Sequence, residues 1–325
     1  MKRIIALFLA CVMVGAMLCA CSIDLSDYNI SFGTSYYRYE NANKYTAGNG
    51  SAKNVSEIDI DWISGDVTVE FSSDVSEIEF SESYDKDIDS ELKMRWWVDG
   101  ETLKIKFAES NAKLIGEPRK TLTVEVPYEL AGISITTVSA NITTEVITAE
   151  EAEFDTVSGN ITTPMCFYKE VDADSVSGDI HIQTNVDANI DINTVSGYVT
   201  VLSGIKDLSV STVSGNAEVY SYSADYDAEF DTTSGDVIIH VMENTGLELE
   251  FDTVSGDFES DIEMSYKDGK YKRGDKGAKF DVDTVSGNCT VRLYDPSQEE
   301  GPIAAPGAPN FGEADDSDAG AGRNG

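Results

Sequence analysis

Histidine is almost missing from this chain: His181 and His240 are the only two among 325 residues. A serine nucleophile needs a base within hydrogen-bond reach, and two isolated histidines cannot serve a serine motif that recurs eight times. Basic residues are scarce too, with 23 Lys and Arg against 59 Asp and Glu and a net charge of −36. So acidic a chain repels phosphate backbones, which argues against nucleic acid as a partner, while it attracts cations and stays soluble. There is no Gly-x-Ser-x-Gly, no phosphate loop and no His-Glu-x-x-His, so the usual signatures of hydrolase, nucleotide and zinc-protease chemistry are missing. Hydrophobic residues nevertheless make up 41%, enough to build a core.

What the chain has in abundance is one short stretch, Thr-Val-Ser-Gly, usually preceded by Asp and followed by Asp or Asn. Its serines are Ser139, Ser158, Ser177, Ser196, Ser214, Ser234, Ser255 and Ser286, at spacings of 19, 19, 19, 18, 20, 21 and 31. A period held this tightly predicts stacked repeats. The fold expected is all-β: a single-chain parallel β-solenoid of roughly 19-residue rungs, right-handed as parallel crossovers usually are, with irregular N-terminal capping strands.

Counting from each serine as position 0, position −4 is apolar or Ala throughout, and position −2 is always Thr or Ser. Alternation on a strand predicts that −4, −2 and 0 stack inward. Positions +3 and +5, such as Ile161 and Thr163, form the inward columns of a second strand. Asp at −3 falls on the opposite face. Gly at +1 is expected to supply unusual backbone angles, and Asp or Asn at +2 to shape a tight turn. Val at −1 is expected at a corner, with an exposed apolar ridge as the alternative.

Before the repeats, alternating stretches near Glu57 and over 75–80, 92–98, 102–107 and 121–126 read as capping strands. Asp99-Gly100 signals a hairpin and Pro127 a strand end. The neighbouring Trp96 and Trp97 should point to opposite faces, one into the core. The 31-residue step carries Lys267, Lys270, Lys272, Arg273, Lys276 and Lys279. These make either a solvated hairpin that offsets the acidic rod or a contact site for an anionic wall polymer or lipid headgroups. The column Asp155, Asp174, Asp231, Asp252 and Asp283 repels itself within the Debye length of about 8 Å. Calcium or diffuse cations would relieve it, but no calcium-loop motif is present. No cofactor is otherwise implied, and no catalytic residue or confident metal ligand emerges.

The domain organisation follows from composition. Residues 1–20 carry Lys2, Arg3 and an apolar run over 4–17 that is short for a membrane span. The following Leu18-Cys19-Ala20-Cys21 resembles the bacterial lipoprotein signal, which implies lipidation of Cys21. Residues 21–54 read as a tether whose tyrosines either pack on the body or form a ligand strip. Residues 55–294 form the solenoid, and the Pro-, Gly- and Asp-rich residues 295–325 an acidic disordered tail. With Cys11 and Cys19 in the signal and Cys21 lipidated, Cys166 and Cys289 remain. Six repeat steps of about 4.8 Å hold them too far apart for a disulfide.

Ile63-Ser-Gly-Asp66, the 121–127 strand feeding Ile133, and the closing Phe280-Asp-Val-Asp-Thr-Val-Ser-Gly-Asn288 together resemble the bacterial "putative adhesin" family, a domain of unknown function built from repeated Ser-Gly-Asp turns. The resemblance implies a β-solenoid on the cell envelope, often a lipoprotein, sometimes beside envelope-stress signalling, with no catalytic residues to carry over. Ala140 and Tyr198 depart from its turn pattern. The function expected is a non-enzymatic, lipid-anchored binding or scaffold surface on the extracytoplasmic side, with adhesion among its uses. The alternatives are a stress-sensing partner that captures cationic peptides or a signalling protein, and a glycan-active enzyme.

Overall fold

The computed structural model describes residues 37–84, 87–114, 119–221, 223–274 and 277–294. Within them the protein is all-β, with only two short 3-10 turns at Ala42–Lys44 and Ser90–Leu92. The signal segment, Cys21, the first part of the tether and the C-terminal tail lie outside the described residues.

Twenty-one strands join in one hydrogen-bonded system. The N-terminal part comprises β1 (Thr46–Ala47), β2 (Gly50–Ala52), β3 (Glu57–Phe71), β4 (Ile78–Ser83), β5 (Arg95–Asp99), β6 (Thr102–Lys106) and β7 (Lys120–Val126). The repeats contribute β8 (Leu130–Glu145), β9 (Thr148–Thr156), β10 (Ile161–Ser175), β11 (Ile180–Thr194), β12 (Val199–Thr212), β13 (Ala217–Ser221), β14 (Asp227–Thr232) and β15 (Val237–Met242). They finish with β16 (Leu247–Thr253), β17 (Phe258–Ser260), β18 (Ser265–Lys267), β19 (Lys270–Arg273), β20 (Ala278–Thr284) and β21 (Cys289–Tyr294).

The repeats stack as parallel ladders. Ile161 faces Ile180, Ile180 faces Val199, and Ala173 faces Ile192. Side chains at −4, +3 and +5 point into the core as the alternation requires: Phe154, Ala173, Ile192, Ile161, Ile180 and Val199 are fully buried. The residues before each turn form one array of strands, those after it a second, and the core lies between.

The Thr-Val-Ser-Gly turn departs from the alternation. Thr at −2 is buried, but Ser at 0 is exposed and Gly at +1 faces inward. The strand ends at Thr and the chain bends through Val-Ser, so the period-two rule does not carry across the corner. Each serine hydroxyl bonds the neighbouring copy in the stack, as Ser177 Oγ donates to the Val157 carbonyl at 3.3 Å. From Thr156 onward the hydroxyl at −2 accepts the glycine N–H three residues on, at 3.1 Å for Thr194 and Gly197. Val157, Val176 and Val195 are half-exposed at the corner, and Val254 at the end is exposed.

Gly178 is required for space rather than for its backbone angle. A Cβ there would stand 1.7 Å from the Gly159 carbonyl oxygen. Asn and Asp at +2 form a side-chain ladder: Asp179 N–H donates to Asn160 Oδ1 at 3.0 Å and Tyr198 N–H to Asp179 Oδ1 at 2.9 Å. Tyr198 has no such oxygen; its hydroxyl instead donates to Glu218.

Antiparallel ribbons close the N-terminal end. β6, β5 and β1 extend one array beyond β3, and β7, β4 and β2 extend the other. The hairpin at Asp99-Gly100 is present, with Asp99 paired to Thr102. The body begins earlier than position 55, because Tyr37 and Ala52 are already buried in the core. Trp96 packs edge-on to Phe80, while Trp97 meets Tyr45 and the Lys44 ammonium. Lys120 is fully buried and pairs with Glu82 at 2.7 Å beneath Trp62 and Phe107.

The other end holds a reordering that the repeat spacing does not reveal. β20 lies between β14 and β16, and β21 between β15 and β17. The last copy in sequence is therefore inserted between the two before it. The β18–β19 hairpin then covers the outer edge of β16, with Glu248 opposite Lys272 and Glu250 opposite Lys270. Insertion brings the copies of Cys166 and Cys289 one step closer than sequence order implies, and both thiols are buried and free.

Candidate functional site

Outward positions −7, −5 and −3 form three columns on the array that precedes the turns. On β9 they are Glu151, Glu153 and Asp155, and on β10 Glu170, Asp172 and Asp174, paired in register. Asn189, Asp191 and Asn193 continue them on β11, and Asp207, Ser209 and Ser211 on β12. Asp227, Glu229 and Asp231 follow on β14, then Lys279, Asp281 and Asp283 on β20. The face is concave and encloses a groove of about 860 Å³ along β9 to β20.

The carboxylates are treated differently along the rod. At the N-terminal end Lys104 meets Asp59 at 2.9 Å, and Lys106 bonds Asp61. At the opposite end Lys270 reaches Glu248 at 2.9 Å and Glu250 at 3.1 Å, Lys272 reaches Glu248 at 2.6 Å, and Lys279 reaches Asp227 at 3.0 Å. Lys272, then Lys270, hold Glu248 down to about 2. Across β9 to β12 no ion pair among the described residues reaches the column carboxylates.

Their protonation reflects this. Burial between the columns, then Asp174, Glu153 and Asp172, pushes Asp155 up to about 7. Burial, Asp174, Asp191 and Glu153 push Asp172 up to about 6. Asp174 and Asp191 are raised chiefly by burial as well, and burial with Asp281, Asp231 and Asp252 takes Asp283 to about 6. Carboxylates stacked one strand apart cannot all ionise freely without a counter-charge.

Of the acidic residues singled out from sequence, Asp155, Asp174, Asp231 and Asp283 stand half-buried in one column, and Asp252 is exposed at its end. The −5 and −7 columns lie outside the Thr-Val-Ser-Gly stretch, and the alternating Glu151-x-Glu153 and Glu170-x-Asp172 carry their signal in the sequence. Of the basic residues, Lys270, Lys272 and Lys279 are spent on the rod's own carboxylates, and Arg273 Nη2 bonds the Glu243 carbonyl. Lys267 is exposed beside Asp268 at 4.0 Å, and Lys276 lies outside the described residues. No cluster of His, Cys, Asp and Glu that could hold a metal ion occurs among the described residues.

On the opposite outer face His240 is buried and stacks on Tyr220 at 3.9 Å. Its Nε2 lies 2.8 Å from Glu218, which also accepts the Tyr220 hydroxyl at 2.9 Å. Each repeat serine hydroxyl already has a carbonyl partner.

The family model described as Toastrack DUF4097 matches residues 46–292. No curated protein matches. Among solved structures, a "putative adhesin" of Parabacteroides distasonis ATCC 8503 is similar at 14% identity and TM-score 0.44, over 77% of this chain and 97% of its own. One of Bacteroides fragilis NCTC 9343 is similar at 12% identity and TM-score 0.43, over 77% and 97%. A "putative lipid binding protein" of Parabacteroides distasonis is similar at 14% identity and TM-score 0.42, over 78% and 97%.

Proposed function

The chain belongs to the Toastrack DUF4097 family, and on that premise we propose that it is a non-enzymatic binding module of the cell envelope whose carboxylate face captures a cationic partner, an extended basic peptide. One observation carries this reading. Lysines built into both ends pair with the terminal carboxylates, while the column carboxylates of β9 to β12 have no ion-pair partner among the described residues. The lysines of β6 and β19 also show how a basic strand meets this surface, with alternate side chains on alternate carboxylates.

On this reading the sheet coils as a right-handed parallel β-solenoid of roughly 19-residue rungs. The offset between Ile161 and Ile180 supports it. A lipid at Cys21 would hold the rod at the outer side of a membrane; no helix among the described residues is long and apolar enough to cross one. The repeated serines serve as corner bonds, which supports a role without catalysis.

The test is calorimetric titration of the full chain with oligolysine at low and high salt. Binding is expected at low salt, with loss of about tenfold or more in affinity when ionic strength rises through the range where surface charges are screened. The triple variant Glu153→Gln, Asp172→Asn, Asp191→Asn should bind markedly less. Equal binding by that variant, or no binding at low salt, rejects the proposal.

A further inference from the structure

The rod covers two acidic strand edges with basic strands of its own. At the N-terminal end β6 lies beside β3, with Lys104 opposite Asp59 and Lys106 opposite Asp61. Between these lysines Ile105 is fully buried. At the other end β19 lies beside β16, with Lys270 opposite Glu250 and Lys272 opposite Glu248. Between these lysines Tyr271 stacks on Phe258 at 3.9 Å. β6 runs parallel to its neighbour and β19 antiparallel. In both directions an acid-x-acid edge takes a Lys-apolar-Lys strand, its lysines on the outer carboxylates and its middle side chain turned to the core.

A third edge of this kind has no strand on it. β17 ends the array that follows the turns and pairs with β21 alone among the described residues. Asp257, Glu259 and Asp261, on and flanking β17, are all exposed. The Asp257 carbonyl accepts from Cys289 N–H, and Asp261 N–H donates to the Val291 carbonyl, at 3.1 and 2.9 Å. These residues and Glu259 therefore serve the ladder with β21, and the backbone N–H and C=O groups of Phe258 and Ser260 lie on the free side. Apolar surface adjoins them. Phe258 is only half-buried beneath Tyr271, and Tyr266, 4.8 Å from the Tyr271 ring, is 65% exposed.

We propose that the free edge of β17 binds a basic segment of a partner protein by strand addition, a Lys-apolar-Lys stretch whose lysines meet Asp257, Glu259 and Asp261 and whose middle side chain packs beside Phe258 and Tyr271. Main-chain bonds to Phe258 and Ser260 hold the added strand, and its alternate side chains select it. Charge disfavours the other occupants. A second copy pairing β17 with β17 sets acidic side chains against one another, which repels. Residues 295–325 are acidic too, with Arg323 their one basic residue. The edge belongs to the other array from the groove and does not depend on it.

The full chain is titrated with a short peptide in which Lys and Val alternate, and amide hydrogen exchange is followed at Phe258 and Ser260. Binding with slowed exchange at both amides is expected. Methylating alternate backbone nitrogens of the peptide keeps its charge and removes donors, so affinity should fall about tenfold or more, as when hydrogen bonds at a contact are left unmade. The variant Asp257→Asn, Glu259→Gln, Asp261→Asn should weaken binding by a similar factor, while Glu153→Gln, Asp172→Asn, Asp191→Asn should keep the protection at β17. Exchange at Phe258 and Ser260 that is already slow in the free chain means that the chain or a second copy covers the edge, and overturns the proposal. Absence of binding, or binding that leaves exchange at these amides unchanged, overturns it as well. Oligolysine titrated in parallel separates the two sites: if its binding is lost in the groove variant while the alternating peptide never protects β17, the edge fails and the groove stands.

Discussion

At the residue scale the Thr-Val-Ser-Gly unit divides its labour by direction. Thr faces in and holds the turn, Ser faces out and ties the neighbouring copy in the stack, and Gly leaves room for a neighbouring carbonyl. Residue types and periods made the −4, +3 and +5 columns legible, since burial of apolar groups follows alternation. The reversal of serine was not legible, because alternation fails where the chain turns. Gly178→Ala is expected to cost roughly 1–3 kcal/mol, as forced overpacking does, with a lower midpoint in thermal unfolding. Thr194→Val should cost about 1–3 kcal/mol by leaving the buried Gly197 N–H without an acceptor. The acidic columns predict an unusual pH dependence. Asp155 and Asp172 are raised in the folded state from 3.8 to about 7 and about 6. The folded protein therefore holds protons that the unfolded chain releases, and stability falls as pH rises through that window. The melting temperature should be higher at pH 5 than at pH 8. Asp155→Asn should raise it at pH 8 and shrink the difference; an unchanged profile would contradict the assignment.

At the element scale the N-terminal ribbons and the Asp99-Gly100 hairpin were readable from alternation and turn chemistry. The order of the last two copies was not. Each copy carries the same turn and the same apolar columns, so any copy can stack on any other, and the long spacing before Ser286 looks like a simple insertion. Gly277 is needed where β20 enters beside β16, since a Cβ there would stand 1.7 Å from the Gly246 carbonyl oxygen. Gly277→Ala is expected to lower the unfolding midpoint by several degrees, on the scale of about 2–4 °C per kcal/mol for a domain of this size. Gly269→Ala is the control for backbone angle alone: its φ is 87° and nothing lies within 4 Å of the added Cβ, so it should cost less. Equal effects at the two positions would show that the approach of Gly277 to Gly246 is not crowded.

At the scale of the whole molecule, net charge and repeat count were plain in the sequence, and they set the acidic character of the rod. Which carboxylates are neutralised was hidden, because Lys104, Lys106, Lys270 and Lys272 find their partners only once strands far apart in sequence lie side by side. Self-repulsion at −36 should be eased by salt, so moderate sodium chloride is expected to raise the melting temperature; a fall would mean the lysine pairs at the ends matter more than the unpaired face. The inserted copy also bears on mechanics. A terminal strand appended to a stack peels from its single neighbour one hydrogen bond at a time. Here tension applied at the C-terminus loads β20 and β21 in shear between parallel strands on both sides, and the bonds must break together. The last two of the described strands are a bolt, and a rod fastened this way holds under pulling forces that would unravel one assembled in sequence order.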